Sequence, residues 1–363
     1  MIYIYGAVCV SMILFNIIYN ISLKRSEPHL ENRCRKLKKQ LDAQLARIQE
    51  HERVEEAYLH QLQQRLRRMQ ELIAFRCVLG EAAEQQPTLV KEYLDQIQPG
   101  ILSLANYYKG KEPMQAGYFA YFLAGDSTMQ QMHGDALPEA LLDYVKKENL
   151  YCRVNALEAL CHFANVEYVV KAVGLQDDGK ILIHEKIITE TLLSFRGEHH
   201  ALINRLWETM QDFSLHTQLA ILNYIRFQTG DYREKMFSVM QDQKADQELR
   251  FAAIRYFGKY SYEPALEPLL SFAQEKDPAR WEFAVIAVSA LAGYPGERVL
   301  EVLKEALHSE NWYIRYSAAQ SLEAHQVEYS DLIDIMMGND RYAREMMTYR
   351  LESRKLQKEG DRL

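Results

Sequence analysis

The residues of this sequence whose types could do chemistry are one histidine pair and one carboxylate pair. His199 and His200 are adjacent, and Asp177 and Asp178 form an acidic pair in a predicted turn. A metal site needs three or four converging ligands, and no further ligand stands at useful spacing from the histidine pair. The chain also lacks the GxSxG, GxxxxGK[ST], GxGxxG and HExxH patterns of nucleophilic, phosphate-binding and zinc chemistry. We therefore predict no catalytic residue, no cofactor, no metal site and no enzymatic activity.

Aromatic residues and arginines, which favour binding to another protein, are concentrated in the C-terminal third. Tyrosine, tryptophan and arginine are enriched at interface hot spots, because they bury much area and keep a polar group. The predicted partner-binding residues are Tyr256, Tyr260, Trp281, Trp312, Tyr313, Tyr316 and Arg315. An alternative stays open, in which the aromatic rings fill space between helices. The arginines that recur at Arg250, Arg280, Arg315 and Arg344 would then bond within the fold.

A repeated helical pattern must position these residues. In residues 311–322, Asn311 can cap a helix start, and Ala318, Ala319 and Leu322 follow on one helical face. An Asp or Asn four residues before an Arg recurs at Asn149, Asp246 and Asp340. Positions equivalent to Leu322 are Leu123, Leu160, Leu193, Ile225, Phe257, Leu291 and Leu351. Their spacing of roughly 29 to 37 residues is typical of helical-hairpin repeats.

This pattern resembles the HEAT-repeat family, in the short form also found in phycobilisome-lyase-type repeats. The resemblance implies an all-α fold, with a right-handed α-solenoid of HEAT-like helical hairpins over residues 114–352. The register is least regular between residues 277 and 291, where Asp277 and Arg280 stand about a turn early. The lyase-type likeness also implies an alternative function, in which a chaperone-like or lyase-like protein acts on a bound cofactor or ligand. No catalytic residue of that family can be matched to this sequence.

The N-terminus has the pattern of a membrane anchor. Residues 2–23 contain no charged side chain. This uncharged segment is long enough for a helix that spans a bilayer. Lys24 and Arg25 follow at once, so the positive-inside rule predicts an outside N-terminus and a cytoplasmic remainder. Residues 24–76 carry 13 Lys or Arg against 8 Asp or Glu, about +5, which leaves about −12 on the rest of the chain (−7 − 5). An acidic body argues against nucleic acid as its partner.

Residues 24–80 are predicted to form a basic stalk helix. Apolar residues of a heptad seam run from Leu41 to Ile73, and Glu52 and Glu55 interrupt that seam at its centre. Two interpretations stay open: a coiled-coil homodimer through residues 31–79, or a helix that packs on its own solenoid or on a partner. Residues 81–113 are predicted as a helical transition that breaks at Pro99 and Gly100. The helix near residues 344–351 is predicted to cap the array with a polar face, followed by a polar tail over residues 353–363.

Taken together, these patterns predict a non-enzymatic scaffold or adaptor at a bacterial cell membrane. Its cytoplasmic solenoid would bind a protein partner at the membrane face. The cofactor-acting repeat protein remains one alternative. A purely structural dimeric spacer, held together through the stalk, is the other.

Overall fold

The computed structural model describes residues 2–125, 134–179 and 181–360. These residues form 19 α-helices and no strand, which agrees with the all-α prediction. The chain divides into two compact units, Met1–Leu206 (unit 1) and Trp207–Leu363 (unit 2).

The helices of unit 1 are α1 (Ile2–Gln49), α2 (Glu56–Leu66), α3 (Met69–Gln85), α4 (Pro87–Lys109), α5 (Pro113–Ala124), α6 (Ala136–Val145), α7 (Leu150–His162), α8 (Val166–Asp177) and α9 (Glu185–Leu193). Helix α10 (His199–Thr209) includes the boundary between the units. The helices of unit 2 are α11 (Leu215–Gln228), α12 (Arg233–Gln241), α13 (Gln247–Phe257), α14 (Leu266–Ala273), α15 (Trp281–Ala290), α16 (Glu297–Ala306), α17 (Trp312–Ala324), α18 (Ile333–Met336) and α19 (Arg341–Gly360). Short 3₁₀ turns occupy Met210–Asp212, Glu263–Ala265, Pro278–Arg280, Leu291–Gly293 and Tyr329–Leu332.

The predicted stalk is not one continuous helix. Helix α1 ends at Gln49, and the chain turns through residues 50–55 into α2. The turn falls where Glu52 and Glu55 interrupt the heptad seam, because an unpaired carboxylate is costly to bury. Glu52 instead stays exposed and pairs with Arg47 at 3.0 Å. The turn's backbone is satisfied by side chains, since Val54 N–H donates to Gln96 Oε1 at 2.7 Å.

The seam residues are buried within a single chain. Leu41, Leu45 and Ile48 are almost fully covered, and α1 contacts α3 and α4. Leu62 and Leu66, from the second half of the seam, are buried in α2, which also contacts α3 and α4. Of the two interpretations that the sequence left open, the structure therefore agrees with the one in which the helix packs on its own chain. It gives no support to a dimer through residues 31–79.

Helix α4 corrects the break predicted at Pro99 and Gly100. It runs unbroken through both residues. Ile97 and Ile101 are buried on either side of Pro99, as are Leu104 and Tyr108 in the following turns, so packing of one apolar face outweighs the hydrogen bond that proline removes.

The predicted anchor occupies the first half of α1. Most side chains of residues 2–23 lie outside the described residues, so the anchor stays a prediction. Within the part of the chain that the structure describes, no helix combines the length and the apolar character needed to cross a bilayer.

The predicted repeat register places its markers on every second helix from α5 to α19. The markers from Leu123 to Leu351 lie on these helices or, at Leu291, directly after one, and all are buried except the half-buried Leu193. In unit 2, α11, α13, α15, α17 and α19 each pack on the next, and α12, α14 and α16 pair with the odd helices that follow them. Such stacked helical hairpins are the local arrangement of an α-solenoid.

The predicted helix caps are present at the start of these helices. Asn149 accepts from Cys152 N–H, Asp246 from Glu248 N–H, and Asn311 from Tyr313 N–H. The irregular register near residue 280 has a structural cause. Asp277 caps a 3₁₀ turn over Pro278–Arg280, and α15 starts only after that turn, at Trp281.

The end of the array differs from the predicted polar cap. Helix α19 continues to Gly360, through most of the predicted tail, while residues 361–363 lie outside the described residues. Ala343, Met347 and Leu351 face inward, as expected of a helix packed on α17. The outer side nevertheless exposes Tyr342, Tyr349 and Leu356.

Candidate partner-binding surface

The orientation of α17 is set by its buried side. Asn311 caps its first turn, with 2.9 Å between its Oδ1 and Tyr313 N. Ile314, Ala318 and Leu322 are buried at helical spacing and fix the helix against its neighbours. Trp312, Tyr313 and Tyr316 consequently point outward, with 55%, 57% and 37% of their surfaces exposed.

These rings join Trp281 of α15 in one continuous cluster. The Trp281 and Tyr313 ring centroids are 5.5 Å apart, and the Trp312 ring meets Tyr313 edge-on at 5.3 Å. The Trp312 ring also stacks on Tyr316 at 5.0 Å. We call Trp281, Trp312, Tyr313 and Tyr316 the aromatic face. Four of the seven predicted partner-binding residues thus form one connected surface on α15 and α17, in which Trp281 is half-buried and the other three rings are exposed.

Two arginines link α17 to α19, and one of them contacts the aromatic face. The Arg350 guanidinium lies over the Tyr316 ring at 4.8 Å and pairs with Glu323 at 2.5 Å. Arg315 lies over the exposed ring of Tyr342 at 5.1 Å. Cations above aromatic rings are attracted by the ring quadrupole, which restrains both side chains. The Tyr316 ring is therefore restrained before any partner binds.

A groove borders the aromatic face on the side of Trp281. It has a volume of about 590 Å³ and lies between the end of α14 and the starts of α15 and α17. Asp277, Glu305 and Glu310 contribute carboxylates, and His308 lies 2.9 Å from the Asp340 carboxylate. The hydrogen bond from His308 lowers the pKa of Asp340.

Two tyrosines of the predicted set do not belong to the aromatic face. Tyr256 is fully buried in α13, where its hydroxyl accepts from Tyr232 N–H at 3.1 Å. It is a core residue, which corrects its predicted role in partner binding. Tyr260 is half-buried and packs on Tyr256, with ring centroids 5.0 Å apart. Neither ring contacts Trp281 or α17 in the described structure.

The recurring arginines bond inside the fold. Arg250 Nε donates to Met240 O at 3.0 Å, and Arg344 donates to Gly338 O at 3.0 Å. Arg315 donates to Glu310 O at 3.4 Å. Each acceptor is a backbone carbonyl that precedes the arginine's own helix, so the internal alternative holds for these three guanidinium groups. Burial lowers the pKa of Arg250, whose guanidinium also lies 4.7 Å from the Phe283 ring centroid.

Sequence reasoning missed the exposed apolar residues that follow α17. They are Tyr329, Ile333, Met337, Tyr342 and Tyr349. The seven-residue step from Tyr342 to Tyr349, set beside the buried Ala343, Met347 and Leu351, was the signal that could have found the outer pair.

In the described part of the chain, the histidines and cysteines give no competing site. His199 packs edge-on against Phe195, and burial lowers the pKa of its imidazole. Burial also raises the pKa of the Cys152 thiol to about 11, which disfavours the reactive thiolate. Within residues 2–125, 134–179 and 181–360, no group of three or more His, Cys, Asp or Glu could hold a metal ion.

Comparison with known proteins supports the repeat prediction. A family model described as HEAT repeats matches residues 234–323, which include α13, α15 and most of α17. No curated protein matches the chain. Nothing supports the narrower phycobilisome-lyase type.

Among solved structures, human deoxyhypusine hydroxylase in complex with glycerol is similar to this chain. The identity is 16%, over 82% of this chain and 95% of that chain, with a TM-score of 0.28. A likeness this weak says nothing about activity.

Proposed function

We propose that this protein is a non-enzymatic, membrane-tethered scaffold that binds a protein partner through the aromatic face. HEAT repeats commonly mediate protein interactions, and stacked hairpins offer an extended binding surface. In this proposal, the scaffold lies at the cytoplasmic face of a bacterial cell membrane. The partner would belong to a membrane-associated complex.

The observation that carries the proposal is the exposure of three connected rings, Trp312, Tyr313 and Tyr316, which continue onto the half-buried Trp281. Large aromatic side chains are normally covered in a soluble fold, and a connected exposed patch marks a candidate interaction site. Trp281, Trp312, Tyr313 and Tyr316 have the composition of an interface hot spot. Their mutual stacking, and the restraint from Arg350, limit the side-chain entropy that binding would remove.

The membrane part of the proposal rests on the sequence of residues 2–23 and on the cations that follow it. An uncharged segment of this length, followed by Lys24 and Arg25, favours a single span with the N-terminus outside. Tethering would confine both units to a thin layer under the bilayer. Confinement raises the effective concentration toward other membrane components, which helps even a modest binding surface.

The alternatives have less support. A dimeric spacer would need apolar seam residues free for a second chain, whereas Leu41, Leu45 and Ile48 are covered within one chain. A cofactor-acting repeat protein would need residues that converge on a ligand, and none of the known catalytic patterns occurs in the sequence.

In-cell cross-linking of the full-length protein, followed by purification and mass spectrometry, tests the proposal. The variant Trp312→Ala with Tyr316→Ala should lose most of a partner that the wild type captures. A matched control is Phe227→Ala with Tyr329→Ala, because these rings are also about half exposed but lie outside the aromatic face. Equal capture by all three proteins would refute the proposal, as would equal loss in both variants.

A further inference from the structure

One side of helix α1 carries cations that the fold does not use. Leu37, Leu41, Leu45 and Ile48 form its buried side. Arg35 and Lys39 are exposed and lie one turn apart on the opposite side, with the exposed Lys36 beside them. We call Arg35, Lys36 and Lys39 the cationic face.

The neighbouring cations of α1 are paired, and this sets the cationic face apart. Arg33 pairs with Glu71 at 3.4 Å, and Lys38 pairs with Glu81 at 2.8 Å. Both bonds join α1 to α3 and so belong to the fold of unit 1. Among the described residues, no carboxylate lies within ion-pair distance of the three cations of the cationic face. Two exposed acids of α1 border the cationic face, since Glu31 stands four residues before Arg35 and Asp42 stands three residues after Lys39.

The surface beside the cationic face is also basic. A groove of about 810 Å³ between α1 and α2 is lined by Arg33, Lys36, Lys39 and Arg65 against two carboxylates. One of these carboxylates, Glu71, is already paired, since it bonds both Arg33 and Arg65. The net charge of residues 24–39 is about +5, from seven Lys or Arg and two Glu. An extended anionic surface is therefore the complementary occupant.

The distance from the predicted anchor limits how the cationic face can reach a bilayer. Lys36 stands 13 residues beyond Leu23, or about 20 Å along a helix that rises 1.5 Å per residue. An upright helix would hold Lys36 well beyond the Debye length of about 8 Å at physiological salt. Pro28 lies inside α1 between the two segments, and proline is the commonest cause of helix kinks.

We propose that α1 bends at Pro28 and rests its cationic face on an anionic lipid bilayer. This inference rests on the membrane part of the proposed function. The buried side of α1 packs on α3 and α4, so these two helices lie on the side away from the cationic face. Ala43 and Ala46 are exposed on the same outer side and are small enough to let the helix approach the headgroups. Each cation near such a surface strengthens attraction about fivefold, so three contribute on the order of a hundredfold.

The test uses the full-length protein reconstituted in phosphatidylcholine vesicles with or without phosphatidylserine. A membrane-impermeant acetylating reagent is applied, and mass spectrometry follows acetylation of Lys36 and Lys39, with Lys171 and Lys186 as exposed internal references. The expected result is several-fold slower acetylation of Lys36 and Lys39 on the anionic vesicles only. High salt should abolish this protection, because it screens the attraction.

Three variants test whether the protection depends on the cationic face and on the bend at Pro28. Arg35→Gln with Lys36→Gln should remove most of the protection of Lys39, whereas Lys91→Gln with Lys146→Gln makes the same charge change at exposed positions elsewhere in unit 1 and should leave it intact. Pro28→Ala should reduce the protection by straightening α1. Unchanged protection in Pro28→Ala would refute the bend.

Equal acetylation of Lys36 and Lys39 on the two kinds of vesicle would overturn the inference. Protection that also occurs on neutral vesicles would assign the cationic face to a protein contact and would overturn it as well. Failure of the anchor is distinguishable from either result. A protein that washes off neutral vesicles refutes the anchor, whereas one that stays bound without lysine protection refutes only this contact.

Discussion

Replacing Tyr256 with alanine should destabilise unit 2 far more than replacing Tyr316, although both tyrosines lie in the same set of odd-numbered helices. Tyr256 is fully buried, and truncating a core aromatic residue to alanine costs about 3–5 kcal/mol. The loss of its hydroxyl also leaves Tyr232 N–H without its acceptor, which adds about 1 kcal/mol. The expected loss of unfolding free energy for Tyr256→Ala is therefore about 4–6 kcal/mol.

Tyr316 makes weaker contacts in the folded state. Its ring is partly exposed, stacks on Trp312 and lies under Arg350. An aromatic pair contributes about 0.5–1.5 kcal/mol and an exposed cation–π contact about 0.5–1 kcal/mol. Tyr316→Ala should consequently lower the unfolding free energy by about 1–2.5 kcal/mol.

Urea-induced unfolding, followed by far-ultraviolet circular dichroism, measures both losses on purified protein. Tyr256→Phe isolates the hydroxyl and should cost about 1 kcal/mol, because the ring still fills its site. A loss for Tyr316→Ala that equals the loss for Tyr256→Ala would refute the division between core and aromatic face. So would a loss below about 1 kcal/mol for Tyr256→Ala, since no buried ring can be removed so cheaply.

Three further predictions follow from buried and paired groups. Arg153→Met should lower the unfolding free energy by about 3–5 kcal/mol in a urea titration, because the variant loses both hydrogen bonds that the buried guanidinium donates to backbone carbonyls. Iodoacetamide at neutral pH should alkylate the exposed Cys77 and spare Cys152, because burial raises the pKa of the Cys152 thiol to about 11. Mass spectrometry of the alkylated protein, folded and unfolded in urea, measures the difference. His308→Gln should move acid unfolding, followed by circular dichroism, to higher pH. The reason is that His308 holds the folded-state pKa of Asp340 below its unfolded value, and this stabilisation is present above about pH 4 and lost as pH falls through the folded pKa. Equal stability in Arg153→Met, alkylation of both thiols in the folded state, or an unchanged acid midpoint would contradict the respective argument.

Local sequence signals were sufficient for the repeat register and the caps. Asn149, Asp246 and Asn311 cap their helices as predicted, because N-cap chemistry depends on only three or four neighbouring residues. The marker positions were equally readable, since helical spacing of small and apolar residues specifies which side is covered. Tyr256 directly precedes the marker Phe257, and Ser321, which precedes the marker Leu322, is also buried. The burial of Tyr256 could therefore have been predicted from its position in the repeat.

Longer-range features were not readable in the same way. A heptad seam requires an apolar partner but does not say which chain supplies it, so α1 could have paired with a second copy as well as with α3 and α4. The continuous α4 depends on Ile97 and Ile101 packing around Pro99, which local propensity does not contain. The link from Arg350 to Tyr316 joins residues 34 positions apart and depends on how α19 packs on α17.

Site-specific photo-cross-linking in cells tests the central claim most directly. A photoreactive phenylalanine analogue would replace Tyr313 on the aromatic face or, as a control, Glu301, which is exposed on α16 in the other helical layer. The scaffold proposal predicts a discrete protein adduct from position 313 that is absent from position 301. It also predicts that this adduct disappears when Trp312→Ala is added. No adduct at position 313, or the same adducts from both positions, would contradict the claim that the aromatic face binds a partner.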